Sequence, residues 1–163
     1  MKQLWAPWRM SYIDQGSKES GCVFCDKLSE TDPRNALILA QTPHSVIMLN
    51  KYPYNNGHLL LAPKRHEKNP SGLSAEEYVD LNEALRRSID LIRAALNPGG
   101  INLGMNLGKC AGAGIEDHLH WHVVPRWEGD VNFMPVLGEV RVIPQHLLDS
   151  YDRLQKYFSR ISA

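Results

Sequence analysis

Residues 116–126 read Glu-Asp-His-Leu-His-Trp-His-Val-Val-Pro-Arg, which puts a histidine at every second position: His118, His120 and His122. Leu119, Trp121 and Val123 fill the gaps. Period two is the signature of a β-strand, so the spacing predicts three imidazoles on one face and apolar side chains turned into a core on the other. A row of imidazoles is not a packing solution, because Leu or Val would fill the same space without needing hydrogen-bond partners. Two roles remain for the row, a metal site or a catalytic array.

Most of the chain reads as support for this strand. Asp32-Pro33-Arg34-Asn35 predicts a turn. Leu37–Ala40 and Ser45–Asn50, parted by Thr42-Pro43-His44, predict an antiparallel hairpin. Residues 52–57 form a rigid loop of turn formers before a third strand at His58–Ala62, closed by Pro63. Ser74 and Glu77 make a capping box. Tyr78, Leu81, Leu85, Ile89, Ile92 and Leu96 follow as one apolar stripe, predicting a helix over 74–96 that Asn97-Pro98-Gly99-Gly100 stops. Ile101–Asn106 is the next strand, and the glycine-rich stretch Gly108–Gly114 leads into the histidines. Trp127–Asp130 is a turn, and a second amphipathic helix runs from about Pro144 to Phe158 with Leu147, Tyr151, Leu154 and Phe158 on one face. Clustered strands with a helix inserted place the chain in the α+β class.

At 163 residues the chain suits one domain with a full core. Eighteen basic residues balance eighteen acidic ones, which argues against a broad electrostatic binder of nucleic acid or membrane. No apolar run approaches the length of a membrane span, and the N-terminus lacks a signal-peptide core. Three cysteines are too few for a disulfide framework, so the expected compartment is the cytoplasm, with reduced thiols. Trp5 and Trp8 beside Pro7 predict an arm at residues 1–20 that packs on its own core or covers a partner subunit.

Cys22 and Cys25 have the spacing of a zinc knuckle, although two buried apolar thiols would read the same way. A neutral imidazole, in contrast, carries a lone pair that attacks an electrophile without a separate base. Phosphorus suits it, because the phospho-imidazole formed passes its group on; backbone amides of the glycine-rich loop would stabilise the phosphoryl oxygens. Neither a Walker A sequence nor GxGxxG is present.

His118-Leu-His120-Trp-His122-Val-Val fits the pattern His-φ-His-φ-His-φ-φ at every position, and Asn56-Gly57-His58 through Pro63-Lys64-Arg65-His66 fits a second landmark of the same family. The chain resembles histidine triad (HIT) proteins over residues 22–126. Its flanks, Leu4–Arg9, Asn50–His58, Val124–Phe133 and Val142–Gln145, resemble the bacterial diadenosine tetraphosphate (Ap4A) phosphorylase-like branch of that family. The resemblance implies a five-stranded antiparallel sheet with two main helices, the sheet extended across a homodimer in which the 74–96 helix is the main element. It implies a single domain over 1–163: an N-terminal arm at 1–20, a HIT core at 22–126 and a C-terminal extension with a helix at 127–163.

The same resemblance implies an enzyme that cleaves dinucleoside polyphosphates by hydrolysis or phosphorolysis. His120 would be the nucleophile, forming a covalent nucleotidyl-histidine, with His122 and His58 as catalytic partners at the phosphate oxygens. Asn50 would meet the ribose, and Asn106 and the backbone of the loop with Gly108, Gly112 and Gly114 the phosphates; apart from the resemblance, the charge of Lys109 in that loop makes it a further phosphate candidate. Bacterial members with this cysteine pair hold structural zinc, which here implies Cys22, Cys25, His66 and His118 as ligands. A zinc-bound imidazole has no lone pair left, which removes His118 as nucleophile.

One departure stands out. Hint-like relatives carry a Ser, and Fhit-like relatives a Gln, just before the triad to assist the leaving group, whereas Ala113–Asp117 here offers no hydroxyl or amide side chain. That favours a polyphosphate leaving group over an amine. The alternatives are a Hint-like nucleoside phosphoramidate hydrolase and a non-catalytic nucleotide-binding module. Expected partners are a nucleotide and a second copy of the chain, with no membrane and no stable nucleic-acid partner.

Overall fold

The expected hairpin forms from β1 (Ile38–Gln41) and β2 (Ser45–Leu49), with a bulge between Ile38 and Ala40. Its turn is held from outside: the Asp80 carboxylate accepts hydrogen bonds from the Thr42 hydroxyl at 2.6 Å, the Ser45 hydroxyl at 2.7 Å and the His44 amide at 3.3 Å. The structure, a computed structural model, describes residues 21–130 and 145–161. The expected N-terminal arm, the flanking stretches Val131–Phe133 and Val142–Pro144, and the expected start of the second helix lie outside these residues.

β3 (Leu59–Pro63) pairs with β2, and β5 (Trp121–Arg126) lies between β3 and β4 (Gly100–Met105). The order β1-β2-β3-β5-β4 is antiparallel throughout. Every residue of β2 and β3 is buried, because both faces of these strands are covered. On one face Leu39, Ile47, Leu49, Leu59, Leu61, Leu119 and Val123 meet two helices, α3 (Ala75–Leu96) and α4 (Leu147–Phe158). On the other, Val46, Met48, Leu60 and Ala62 pack against Phe24 of α1 (Val23–Ser29).

Helix α3 starts on the expected capping box, with Ser74 Oγ accepting from Glu77 N at 3.2 Å and Glu77 Oε2 accepting from Ser74 N at 2.8 Å. Its buried stripe is Leu81, Ala84, Leu85, Ser88, Ile92, Ala95 and Leu96. Tyr78, assigned to that stripe by periodicity, is 52% exposed instead, one turn ahead of the first buried residue. Asn97 closes the helix in the left-handed region at φ 48°.

Two local expectations change. Asp32–Asn35 is not a plain turn: Asp32 caps a short helix, α2 (Pro33–Ala36), by accepting from Arg34 N at 2.9 Å. Helix α1 is too short to show a period in sequence. The histidine row also differs from a continuous strand, since the β5 ladder begins at Trp121. Ahead of it, Leu119 N donates to the Glu67 carbonyl at 2.7 Å, beyond the end of β3. The alternation nevertheless survives, with Leu119 in the helix-side core and His118 and His120 against the Phe24 ring at 4.8 and 5.0 Å.

Gly57 turns the chain into β3 at φ 71°, where a Cβ would collide with Leu96 Cδ1. Any other residue there would be strained at this φ and would press on the Leu96 side chain, one residue ahead of His58.

Candidate active site and metal centre

Cys22 is the N-cap of α1 and Cys25 lies one turn on, so the helix start brings the two thiols together. His66 comes from the loop after β3, and His118 from the entrance to β5. The four ligand atoms lie within 4.8 Å of one another. Cys22 Sγ is 3.1 Å and Cys25 Sγ 3.8 Å from His118 Nδ1, and Cys25 Sγ is 3.5 Å from His66 Nδ1. Tetrahedral bonds of about 2.0–2.3 Å give ligand–ligand spacings of roughly 3.3–3.8 Å, close to these three pairs, so the set could hold one metal ion once its widest separation, 4.8 Å, closes. His118 Nε2 lies 2.8 Å from the Pro63 carbonyl. A carbonyl only accepts, so Nε2 carries the proton and Nδ1 keeps the lone pair that faces the thiols. Burial, and then the adjoining Cys22, push the Cys25 thiol up.

The loop bearing His66 is braced. Arg65 donates to both Glu77 carboxylate oxygens at 2.8 Å and to the Gly72 carbonyl at 2.7 Å. Glu77, held down to about 2 chiefly by Arg65, therefore serves the helix cap and this loop together. Arg65 is thus committed to structure.

His58, His120 and His122 are ordered by the same donor logic. His120 Nδ1 lies 2.8 Å from the His118 carbonyl and must carry the proton, leaving the lone pair on Nε2. His58 Nδ1 receives the Tyr54 amide N–H at 3.0 Å, so it is the unprotonated nitrogen. Asn50 Nδ2 lies 3.3 Å from the same atom, its orientation set by Tyr52 N donating to Asn50 Oδ1 at 2.9 Å. His58 Nε2 therefore donates to His122 Nδ1 at 3.0 Å, and the proton of His122 sits on Nε2, on the side of the ring away from His58. Burial holds the imidazoles of His118 and His120 below their ordinary range. Burial, and then His120, bring His122 to about 4. The row is neutral at neutral pH, the state in which an imidazole carries both a lone pair for attack and an N–H for donation.

The structure brings His58, His120 and His122 together: ring centroids are 4.8 Å apart for His120 and His122, and 5.2 Å for His58 and His122. His58 is fully buried behind His122, and Asn50 is buried beside His58. β4 pairing sets Gly104 opposite His122, so the glycine-rich loop begins beside the row. Asn106 Nδ2 braces that loop on the Gly112 carbonyl at 3.3 Å, and Gly108 and Gly112 hold φ of 83° and 87°. Lys109 and Gly114 are exposed, as are Glu116 and Asp117. Sequence reasoning missed Phe24, which sits between the cysteines and backs His118 and His120. It also missed Tyr54, whose ring stacks near-parallel to His122 at 5.6 Å. An aromatic inside the cysteine pair was the available signal for the first; nothing in the turn-rich loop marked the second.

Because the folded value for His122 lies below the ordinary imidazole value of about 6.5, the unfolded chain binds a proton between the two that the folded chain excludes. This contribution is fully present above about pH 6.5 and is lost as pH falls toward 4. Urea unfolding should therefore show stability falling from about pH 7 to about pH 5, and His122→Asn should flatten part of that slope. An equal slope in the variant would contradict the assignment.

Comparison with known proteins bears on the family and the fold. The family model described as HIT domain matches residues 33–129. AP-4-A phosphorylase of Mycobacterium tuberculosis (strain CDC 1551 / Oshkosh) is 35% identical over 98% of this chain and 86% of its own length. Bis(5'-adenosyl)-triphosphatase of Dictyostelium discoideum is 33% identical over 78% of this chain and 85% of its own. A crystal structure of a Zn-bound histidine triad family protein from Mycobacterium smegmatis superposes with a TM-score of 0.68 at 26% identity, covering 86% of this chain and 95% of that one. With the triad motif, the five-stranded sheet and a matched domain that spans more than half its length, the chain belongs to the histidine triad family.

Proposed function

We propose that this protein cleaves dinucleoside polyphosphates of the Ap4A type through a nucleotidyl group carried on His120. The observation that carries the reading is the 2.8 Å hydrogen bond from His120 Nδ1–H to the His118 carbonyl, which fixes Nε2 as the free nucleophilic nitrogen. The names of the mycobacterial phosphorylase and the Dictyostelium triphosphatase support the substrate class. The Nε2 lone pair forms a bond to the α-phosphorus while the bond to the remaining polyphosphate breaks, its electron pair leaving on oxygen. The positive charge gained by the ring is stabilised by the Nδ1–H···O=C bond. An oxygen of phosphate or water then attacks phosphorus, and the N–P pair returns to Nε2.

His122 contributes its Nε2–H to phosphoryl oxygens, while His58 and Asn50 act through it, since both lie in the chain of hydrogen bonds that ends on His122 Nδ1. Asn106, Lys109 and the backbone of Gly108, Gly112 and Gly114 hold the phosphates along the loop beside the row. Incubation with Ap4A should give ATP and ADP only when inorganic phosphate is present if the reaction is phosphorolysis, or ATP and AMP without it if hydrolysis. His120→Asn should lower turnover about a thousandfold or more while binding the same metal content. Absence of turnover by the wild-type protein in both incubations would refute the substrate assignment.

Cys22, Cys25, His66 and His118 hold zinc as a structural ion, anchoring α1 and the His66 loop to the entrance of β5. A four-ligand site leaves no open position for substrate, and its thiols suit a reducing compartment such as the cytoplasm. Chelation should lower the unfolding temperature before it affects chemistry. Loss of activity with an unchanged unfolding transition would favour a catalytic metal instead.

The protein also acts as a homodimer through β4, an edge strand that exposes Leu103 at 46%. Sedimentation should give a dimer for the wild type and a monomer for Leu103→Glu; a monomeric wild type would remove this assembly.

A further inference from the structure

The protonated nitrogen on His122 is set through His58 Nδ1, which meets the Tyr54 peptide N–H at 3.0 Å and the Asn50 side-chain amide at 3.3 Å, and the residue after Tyr54 holds the closer of these donors in place. Asn55 Nδ2 donates to the Pro125 carbonyl at 3.1 Å and to Asp130 Oδ2 at 2.6 Å, and Asn55 Oδ1 accepts from Asn56 N at 3.0 Å. Its own carbonyl accepts from His58 N at 3.2 Å. Both ends of the side-chain amide are thus used, and only one orientation satisfies them.

The anchor is equally constrained. Asp130 is held by Arg126 through two bonds of 2.7 and 2.8 Å and by Trp127 N at 3.1 Å, and its side chain is 9% exposed. Arg126 is the last residue of β5, the strand that carries His122, and also reaches Asn102 Oδ1 of β4 at 3.0 Å. The contacts close a ring: Tyr54 N to His58, His58 to His122, along β5 to Pro125, and from Pro125 and Asp130 back to Asn55.

We propose that Asn55 is a positioning residue: by clamping the 50–57 loop to Pro125 and Asp130 it holds the Tyr54 N–H on His58 and so sets which nitrogen of His122 bears the proton. The inference rests on the reading of His122 as a donor to substrate. Asn55 lies outside the sheet, ahead of the first β3 residue, Leu59, so no regular backbone pairing performs this task. Alanine at this position frees the loop, but leaves Asp130 paired with Arg126. Aspartate keeps the shape and sets carboxylate oxygens against the Pro125 carbonyl and Asp130.

The test is 15N spectroscopy of the histidine-labelled full chain as wild type, Asn55→Ala and Asn55→Asp, with circular dichroism to confirm folding. The wild type should show His58 and His122 both protonated at Nε2. The folded variants should show His58 averaging between tautomers, with kcat for Ap4A cleavage down about 10- to 100-fold and KM within about threefold of wild type. A wild-type His58 protonated at Nδ1 overturns the proposal without any variant. So do folded variants that retain the wild-type tautomers, whatever their kcat. If the wild type turns over no dinucleoside polyphosphate, the functional reading fails while the tautomer comparison still decides the role of Asn55.

Discussion

The site depends on how His118 divides its hydrogen-bonding groups. Its Nε2–H is committed to the Pro63 carbonyl, which joins the end of β3 to the entrance of β5 before the β5 ladder has begun. That leaves Nδ1 toward Cys22, Cys25 and His66, and leaves its backbone carbonyl to take the proton of His120 Nδ1. One residue therefore fixes the nitrogen that its own ring turns to the cysteines and, through its carbonyl, the nitrogen that His120 leaves free. Neither ring is free to exchange its nitrogens, because each alternative would set a lone pair against a carbonyl oxygen.

The sheet keeps these two tasks apart from folding stability. Its helix-side face buries Leu, Ile and Val side chains against α3 and α4, an arrangement in which apolar burial is the main stabilising term. The opposite face carries fewer apolar residues around Phe24, and there the imidazoles take the place of core side chains. Burial without a charged partner lowers their proton affinity, which is what a neutral nucleophile and a neutral donor need at physiological pH. The energetic cost of burying polar rings is offset by hydrogen bonds, with His118, His120, His58 and His122 each partnered.

Much of this arrangement is legible in the sequence. The period-two histidines, the capping box at Ser74 and Glu77, and the hairpin around Thr42-Pro43-His44 are local patterns, and local patterns survive into the fold. Tyr78 departed from the periodic stripe because a period says which residues share a side of a helix, not where the neighbouring sheet ends. The short helices α1 and α2 fell below the length at which a period can be counted. Asn50 and His58 read as substrate contacts in sequence; what sequence did not show is that both are buried and joined, with His58 Nε2 on His122 Nδ1 and Asn50 Nδ2 beside His58 Nδ1.

By itself the sequence determined the family, the strand that carries the triad, and the residue types able to bind a metal or attack phosphorus. Those follow from spacing along one chain and from the chemistry of each side chain. Only the tertiary structure decided which nitrogen of each histidine holds the proton. That choice depends on the atom lying opposite across the fold: Pro63 for His118, the Tyr54 amide for His58, and His58 in turn for His122. The row looked uniform as a string of letters because a tautomer is a property of contacts between distant segments.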